Sequence, residues 1–477
     1  MPSAASEECR QCERYGVDCP GYTRSHKFLD EGPQLQRRFG KNTESIDERI
    51  APTLAAQSVG KQQPVVFGEF VLKAFTKWFG LNRFRVHTPW TVYIAQHGGQ
   101  SAAFDTAIFC VNSIFMGHKH SDDRLQQSSR EMYSRALRLF GERIGSEAGM
   151  RSRESVSITI ALSLFEAYSR TRPDSWAPHA AATALLMAHR GPAAHLTGFD
   201  RCLYLSFRSF LVAEAFVNGK HCLFDRPEWQ AHIDQVRAED MASPRVDRPI
   251  ALFIDFQDRI FLEVARVPGF LVQARRLAAA PNPEKAIRSL GAQALRCSQR
   301  LDQLAAHLRL TAAVQNYRWK PEPNNSRATD TKNNDNNPTF IGPIPSNFPQ
   351  AFANSVLRGA DRCLYILRLL LGYLHSRDMP SPGSSPESDN LEEERPVDLS
   401  DPLPFRIVSK LHGSSDESPG VGAATTGEEE EILPADQWLD HVAASMGLEA
   451  FEVVTYAKES PVSDDTDDYW TRALSLR

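Results

Sequence analysis

Residues 287–308 read IRSLGAQALRCSQRLDQLAAHL. The apolar positions Ile287, Leu290, Ala294, Cys297, Leu301, Leu304 and Leu308 fall in steps of three and four over three heptads. That spacing puts them on one stripe of an α-helix. Such a stripe can join two chains in a coiled coil or form an internal seam of a helix bundle, and its length favours the seam. The same period recurs on both sides. Phe67, Phe70, Val71, Ala74, Phe75 and Trp78 form one stripe, and Met132, Ala136, Phe140 and Ile144 another. Residues 154–170 open on Ser/Glu and carry a dense apolar face, and a further helix is expected from about 350 to 375. Long period-two alternation is missing and Asn-Gly or Asp-Gly hairpin pairs are scarce. The expected fold is therefore all-α, a multi-helix bundle of antiparallel helix pairs with disordered insertions and a small N-terminal cysteine-rich segment. No fixed-period repeat supports a solenoid.

The 477 residues include 42% hydrophobic side chains, enough for a sizeable core. The formal net charge of -5 hides an asymmetry: residues from 381 onward hold 22 acidic and 6 basic side chains, net -16, which leaves +11 on residues 1–380. An acidic tail on a mildly basic body is unlike a compact metabolic enzyme. The start shows neither a cationic nor an apolar leader region. The longest apolar run, near 364–374, is too short and too charged to span a bilayer, so no membrane partner is expected. Residues 320–338, KPEPNNSRATDTKNNDNNP, and the Pro, Ser and acid-rich 376–434 lack the apolar groups that offset ordering entropy. A short helix is expected near 403–411, and 435–458 recovers helical spacing through Trp438, Val442, Met446 and Phe451. The expected organisation is a cysteine segment at 1–27, a linker at 28–63 and a helical body at 64–319. It continues with an insertion at 320–347, a helix at 348–375, the acidic region 376–434, and a terminal helix and tail at 435–477.

Five of the eight cysteines stand singly in apolar helical text, where buried free thiols are expected. The other three form Cys9-x2-Cys12-x6-Cys19. A C-x2-C turn brings two thiolates to one ion, and a third can close onto it, so Cys9, Cys12 and Cys19 are candidate zinc ligands. A fourth ligand is required, and His26 is in range, although an exposed loop residue is its plainer reading. Arg10, Arg14, Arg24 and Lys27 are the nearby phosphate-contact candidates for DNA.

The segment 9–24, CRQCERYGVDCPGYTR, resembles the second half of the fungal binuclear zinc-cluster domain, matching at Cys9, Cys12, Gly16, Cys19, Pro20, Gly21 and Tyr22. In that family six cysteines hold two zinc ions, and a basic loop of the first half enters the major groove. Here eight residues precede Cys9, and the loop 13–18 has one positive and two negative charges. Residues 27–41 are similar to the family's text after the last cysteine. Glu166…Trp176-x2-His179…Arg190-Gly191-Pro192, and Arg208 followed by Pro227-Glu228-Trp229, are similar to stretches of the fungal-specific transcription factor domain. The resemblance implies a nuclear regulator of RNA polymerase II transcription for a specific gene set, secondary-metabolite clusters among them. The implied partners are promoter DNA, transcription coactivators and a homodimeric or heterodimeric relative. The alternative is a helical interaction protein derived from such a factor that no longer binds DNA by itself.

Motifs of enzyme chemistry are missing: no GxxxxGK[ST], GxGxxG, HExxH or GxSxG occurs. His97-Gly98-Gly99 has no matching serine elbow, and His118-Lys119-His120 reads as a helix-end loop rather than a metal pair. His179 reads as a packed or capping histidine. The chain is expected not to be an enzyme. The tail, ending DDTDDYWTRALSLR, interleaves acids with Tyr469, Trp470, Leu474 and Leu476 in the manner of an acidic activation segment.

Overall fold

The computed structural model describes residues 62–77, 82, 84–244, 246, 248–318, 348–378, 402–410 and 435–456, all within the unit Thr53–Arg477. Among these residues there are thirteen α-helices, a few 3-10 turns and one two-stranded sheet, so the all-α expectation holds. The cysteine segment 1–27, nearly all of the linker 28–63, the insertion 320–347 and most of 376–434 lie outside the described residues.

The helices are α1 Gln63–Ala74, α2 Trp90–His97, α3 Ala102–His120, α4 Asp123–Ile144, α5 Glu147–Met150, α6 Arg153–Ser169 and α7 Ala177–Arg190. Then follow α8 Gly198–Val217, α9 Pro227–Ala242, α10 Arg248–Ala278, α11 Glu284–Arg318, α12 Phe348–Asp378 and α13 Ala435–Ala444. Local chemistry sets their ends. Ser101 caps α3, and Asp122 caps α4 by accepting from Arg124 N and Leu125 N at 2.9 and 3.2 Å. Between them Ser121 takes a left-handed φ of 52°, which turns the chain back on itself. Ser152 caps α6, and Glu154 sits in its first turn where the helix dipole favours an acid.

Two helices form the centre. Every residue of α6 from Ser155 to Tyr168 is buried, and so is α8 from Phe199 to Phe216 apart from Ser206. A helix apolar on one side only could not be enclosed in this way. The hydroxyls on α6 are satisfied locally: Ser157 donates to Arg153 O at 3.0 Å, Thr159 to Val156 O at 2.9 Å, and Ser163 to Trp176 O at 3.0 Å. Around them α3 packs on α4 and α6, α7 on α6 and α8, and α9 on α10.

The seven positions of the 287–308 stripe are all buried and face α10 and α12, so the stripe is an internal seam. Each buried leucine there contributes about 1.5–3 kcal/mol. The α11–α12 pair is antiparallel, because Arg288 meets Asp378 at 3.3 Å while Arg309 meets Asp361 at 2.6 Å. The five single cysteines are free and buried, and burial pushes the thiols of Cys202 and Cys222 up to about 12. They are packing groups without thiolate character.

Two expectations near the C-terminal end are corrected. Residues 405–409 form a strand, β1 (Phe405–Ser409), and no helix is present at 403–410. The helix beginning at 435 stops at Ala444, and the chain continues through a 3-10 turn into β2 (Phe451–Thr455). The stop is conformational: Met446 and Gly447 both have positive φ, 59° and 93°. Val453, Val454 and Thr455 are β-branched and suit a strand. The strands are antiparallel, with Phe405 opposite Thr455 and Ser409 opposite Phe451. The sheet clasps the core through tryptophans. Trp176 Nε1 donates to Ser409 Oγ at 3.3 Å, Trp438 Nε1 donates to Lys410 O at 2.8 Å, and the two indoles meet edge to face at 6.2 Å.

Gly447 sits where the chain wedges against α8, and a Cβ there would collide with the Ser209 carbonyl and lie 2.9 Å from Ala213 N. With positive φ added, Gly447→Ala is expected to cost about 3 kcal/mol. Denaturant unfolding of the two proteins measures the difference, and hydrogen exchange should show the protection lost first at 435–456.

Candidate functional site

The zinc ligands expected from sequence, Cys9, Cys12 and Cys19, lie outside the described residues, as do Arg10, Arg14, Arg24, Lys27 and His26. Among the described residues no group of three or more His, Cys, Asp or Glu is arranged to hold a metal ion. His118, Lys119 and His120 form the last turn of α3, not a loop; the His118 ring lies edge-on to Tyr168, and Lys119 pairs with Glu69. His97 stacks on Tyr93 and Gly99 N donates to Asp105 at 2.9 Å, so the His97-Gly98-Gly99 turn is a helix junction.

The stretch around Glu166, Trp176 and His179 converges in space. The Tyr133 hydroxyl of α4 lies 2.7 Å from His179 Nε2 of α7, with Glu166 of α6 near enough to act on both groups. A phenol and a neutral imidazole each hold one proton donor and one acceptor, so this single bond satisfies both rings in either tautomer. Burial lowers the His179 pKa against the pull of Glu166, which keeps the ring neutral. Burial also raises the Tyr133 phenol, helped by Glu166. The result is a bond that ties α4 to α7, and it agrees with reading His179 as a packed residue.

A solvent-open groove runs between α10 and α11. One lobe, about 390 Å³, is lined by Arg237 of α9, Arg259, Glu263 and Arg266 of α10, and Arg300 and His307 of α11. The second lobe, about 290 Å³, shares Arg266 and Arg300 and adds Arg296 and Asp225. Glu263 holds the shared pair: Arg300 donates to its two oxygens at 2.8 and 2.9 Å, and Arg266 to one at 2.7 Å. Burial alone would raise the Glu263 pKa, but Arg300 and Arg266 outweigh it and hold the carboxyl below its ordinary range. Asp225 is pushed up to about 6 by burial despite Arg266.

Sequence reasoning missed the most enclosed polar group of the body. Arg85, fully buried, donates from Nε to Asp240 Oδ2 at 2.6 Å and from Nη1 and Nη2 to Asp258 at 3.1 and 2.5 Å. Arg208 reaches Asp258 at 2.7 Å and lies 4.5 Å from the Phe261 ring. Arg201 bonds to Asp240 and, at 2.8 Å, to Glu239. Burial alone would lower the Arg85 pKa; Asp258 and Asp240 more than reverse it. Burial alone would raise Asp258, and Arg208 and Arg85 bring it below its ordinary value. Beside the cluster, His195 and His232 flank Trp229 at 5.7 and 5.5 Å. Burial, with Arg190 beside one and Arg201 beside the other, lowers them to about 3 and about 4.

Removing one partner of a buried ion cluster strands the others, so Asp258→Asn is expected to cost about 3–5 kcal/mol. The folded pKa of Asp258 is depressed, so its contribution is complete above the unfolded value of about 3.9 and is lost as pH falls through the folded value. Urea unfolding of both proteins checks this: the gap should persist from pH 7 to 5 and narrow below about pH 4.

No protein-family model matches the chain, and no solved structure matches it. The uncharacterized protein AN5342 of Emericella nidulans is 31% identical over 419 residues, which cover 86% of this chain and 84% of that relative. With that identity sustained over most of both sequences, the chain belongs to the same protein family as AN5342.

Proposed function

We propose that the chain is a zinc-cluster-type fungal transcription regulator, acting in the nucleus on a specific set of RNA polymerase II genes, and that it is not an enzyme. The observation that carries this reading is the spacing Cys9-x2-Cys12-x6-Cys19, set in text that resembles half of a binuclear zinc cluster. Three thiolates in close sequence are the soft donor set that zinc prefers, and His26 is the available fourth ligand. The other five cysteines support it by contrast, since each is buried and free in the helical body. The acidic charge from residue 381 onward suits contact with coactivators.

In this reading Cys9, Cys12 and Cys19 hold the metal, whose role is to fix the fold of a short segment that could not bury a core of its own. Arg10, Arg14, Arg24 and Lys27 meet phosphates, a term that positions the protein without selecting sequence. The body serves assembly, as a homodimer or with a relative. A specific observation favours a second reading, a derived interaction protein without DNA binding of its own. The loop Glu13-Arg14-Tyr15-Gly16-Val17-Asp18 is net negative and offers no fork for guanine edges.

Elemental analysis of the purified chain is expected to give about one zinc per molecule, lost when Cys9, Cys12 and Cys19 are changed to serine. Binding to duplex DNA across a salt series separates the two readings: four phosphate contacts predict a log–log slope of about -3.6. A slope near zero removes the DNA-binding role and leaves the interaction protein, and zinc far below stoichiometry removes the metal site.

A further inference from the structure

The groove between α10 and α11 has no part in the reading above, and its chemistry points elsewhere. Its lining brings together five guanidinium groups from three helices and two carboxylates, Glu263 and Asp225, while Asp234 and Asp255 pair with Arg237 from outside the lining. Surface arginines that serve only as solubilising charge are spread out and mobile. Here they are concentrated and held. Glu263 fixes Arg266 and Arg300 at the boundary of the two lobes. Behind the first lobe, Asp255 accepts from Arg237 at 2.6 Å and from Arg259 at 3.4 Å. Arg296 has no carboxylate partner within ion-pair distance among the described residues. Its charge is left to the second lobe, which it lines.

Three features select a ligand class. The lobes, about 390 and 290 Å³, are of small-molecule size and too short for a nucleic-acid strand. The guanidiniums come from α9, α10 and α11, so they can surround a tetrahedral oxyanion, whereas a planar carboxylate is satisfied by one fork. Each lobe also has its own cation besides the shared Arg266 and Arg300, namely Arg259 with Arg237 in one and Arg296 in the other. Two linked anionic groups match two linked lobes. We propose that this groove binds a small molecule carrying two phosphate groups, one in each lobe, with Arg266 and Arg300 bridging them. The supporting carboxylates hold the forks in place before the ligand arrives, which reduces the ordering that binding must otherwise impose.

Calorimetric titration of the full chain at fixed ionic strength tests this, with inorganic pyrophosphate as the probe and orthophosphate as the single-anion comparison. Saturable one-to-one pyrophosphate binding is expected, at least about tenfold tighter than orthophosphate, since a second charged contact is worth about a decade in affinity. Arg296→Gln and Arg259→Gln should each weaken it about tenfold. Arg124→Gln, on exposed α4 surface away from the groove, should leave it unchanged. Arg296→Gln breaks no ion pair among the described residues, so its melting temperature should match the parent, which separates a lost ligand contact from a damaged fold. Failure to saturate by about 1 mM pyrophosphate, or equal binding by both groove variants and the parent, overturns the proposal. So does a synthetic peptide of residues 424–434, with its four consecutive glutamates, if it displaces pyrophosphate and binds more tightly with the same dependence on Arg296 and Arg259. The occupant would then be an acidic peptide.

Discussion

The body depends on how the charge of three arginines is matched away from water. Arg85, Arg201 and Arg208 are almost completely enclosed, and each would destabilise the fold by several kcal/mol if left unpaired. Asp258 and Asp240 prevent this, and both are shared: Asp258 accepts from Arg85 and Arg208, and Asp240 from Arg85 and Arg201. Sharing makes the cluster a geometric constraint. Arg85 sits between α1 and α2 in sequence, the other arginines on α8, and the aspartates on α9 and α10. A shift of any one of these pieces would open bonds to the others. Apolar packing tolerates small shifts, but an Arg–carboxylate pair at 2.6–3.1 Å does not.

The cluster also explains its neighbours. His195 lies close to Arg190 and His232 close to Arg201, and a proton on either imidazole would stand beside a positive charge. Burial acts in the same direction, and the rings stay neutral as aromatic packing partners of Trp229. The interior is therefore mainly apolar with one charged cluster set into it, and the two imidazoles beside that cluster stay neutral.

What the sequence makes legible follows from the range of the interactions involved. The 287–308 seam, the α4 stripe and the helix at 348–378 rest on contacts three and four residues apart, and the spacing alone reveals them. The Arg85–Asp258 and Arg85–Asp240 bonds span 173 and 155 residues. No local pattern distinguishes Asp258 from Asp255 and Glu263 on the same helix, which pair with other arginines. The strands fail for a related reason. Residues 405–409 gain their partner from 451–455, and the apolar spacing of Trp438, Val442, Met446 and Phe451 mimics a helix that Met446 and Gly447 end by their backbone conformation. The groove was invisible because its arginines are scattered over three helices and look like ordinary solvated charge until the helices are packed.

One helix links these features. Within nine residues α10 places Asp258 in the buried cluster, then Arg259, Glu263 and Arg266 on the groove. A helix presents positions one apart on different faces, so Asp258 and Arg259 can belong to opposite environments. The buried side anchors the helix through α8 and the Arg85 stretch. The groove side joins it to α11 through Glu263 and Arg300, and the Cys297 thiol lies 3.6 Å from the Glu263 carbonyl. The α10 wall of the groove is thus fixed by ion pairs on its hidden face, while the α11 wall is fixed by the leucine seam. A groove whose two walls are packed on each other and cross-linked by Glu263 and Arg300 keeps its width without a ligand. That is the condition under which clustered like charges persist at a surface instead of turning away into solvent.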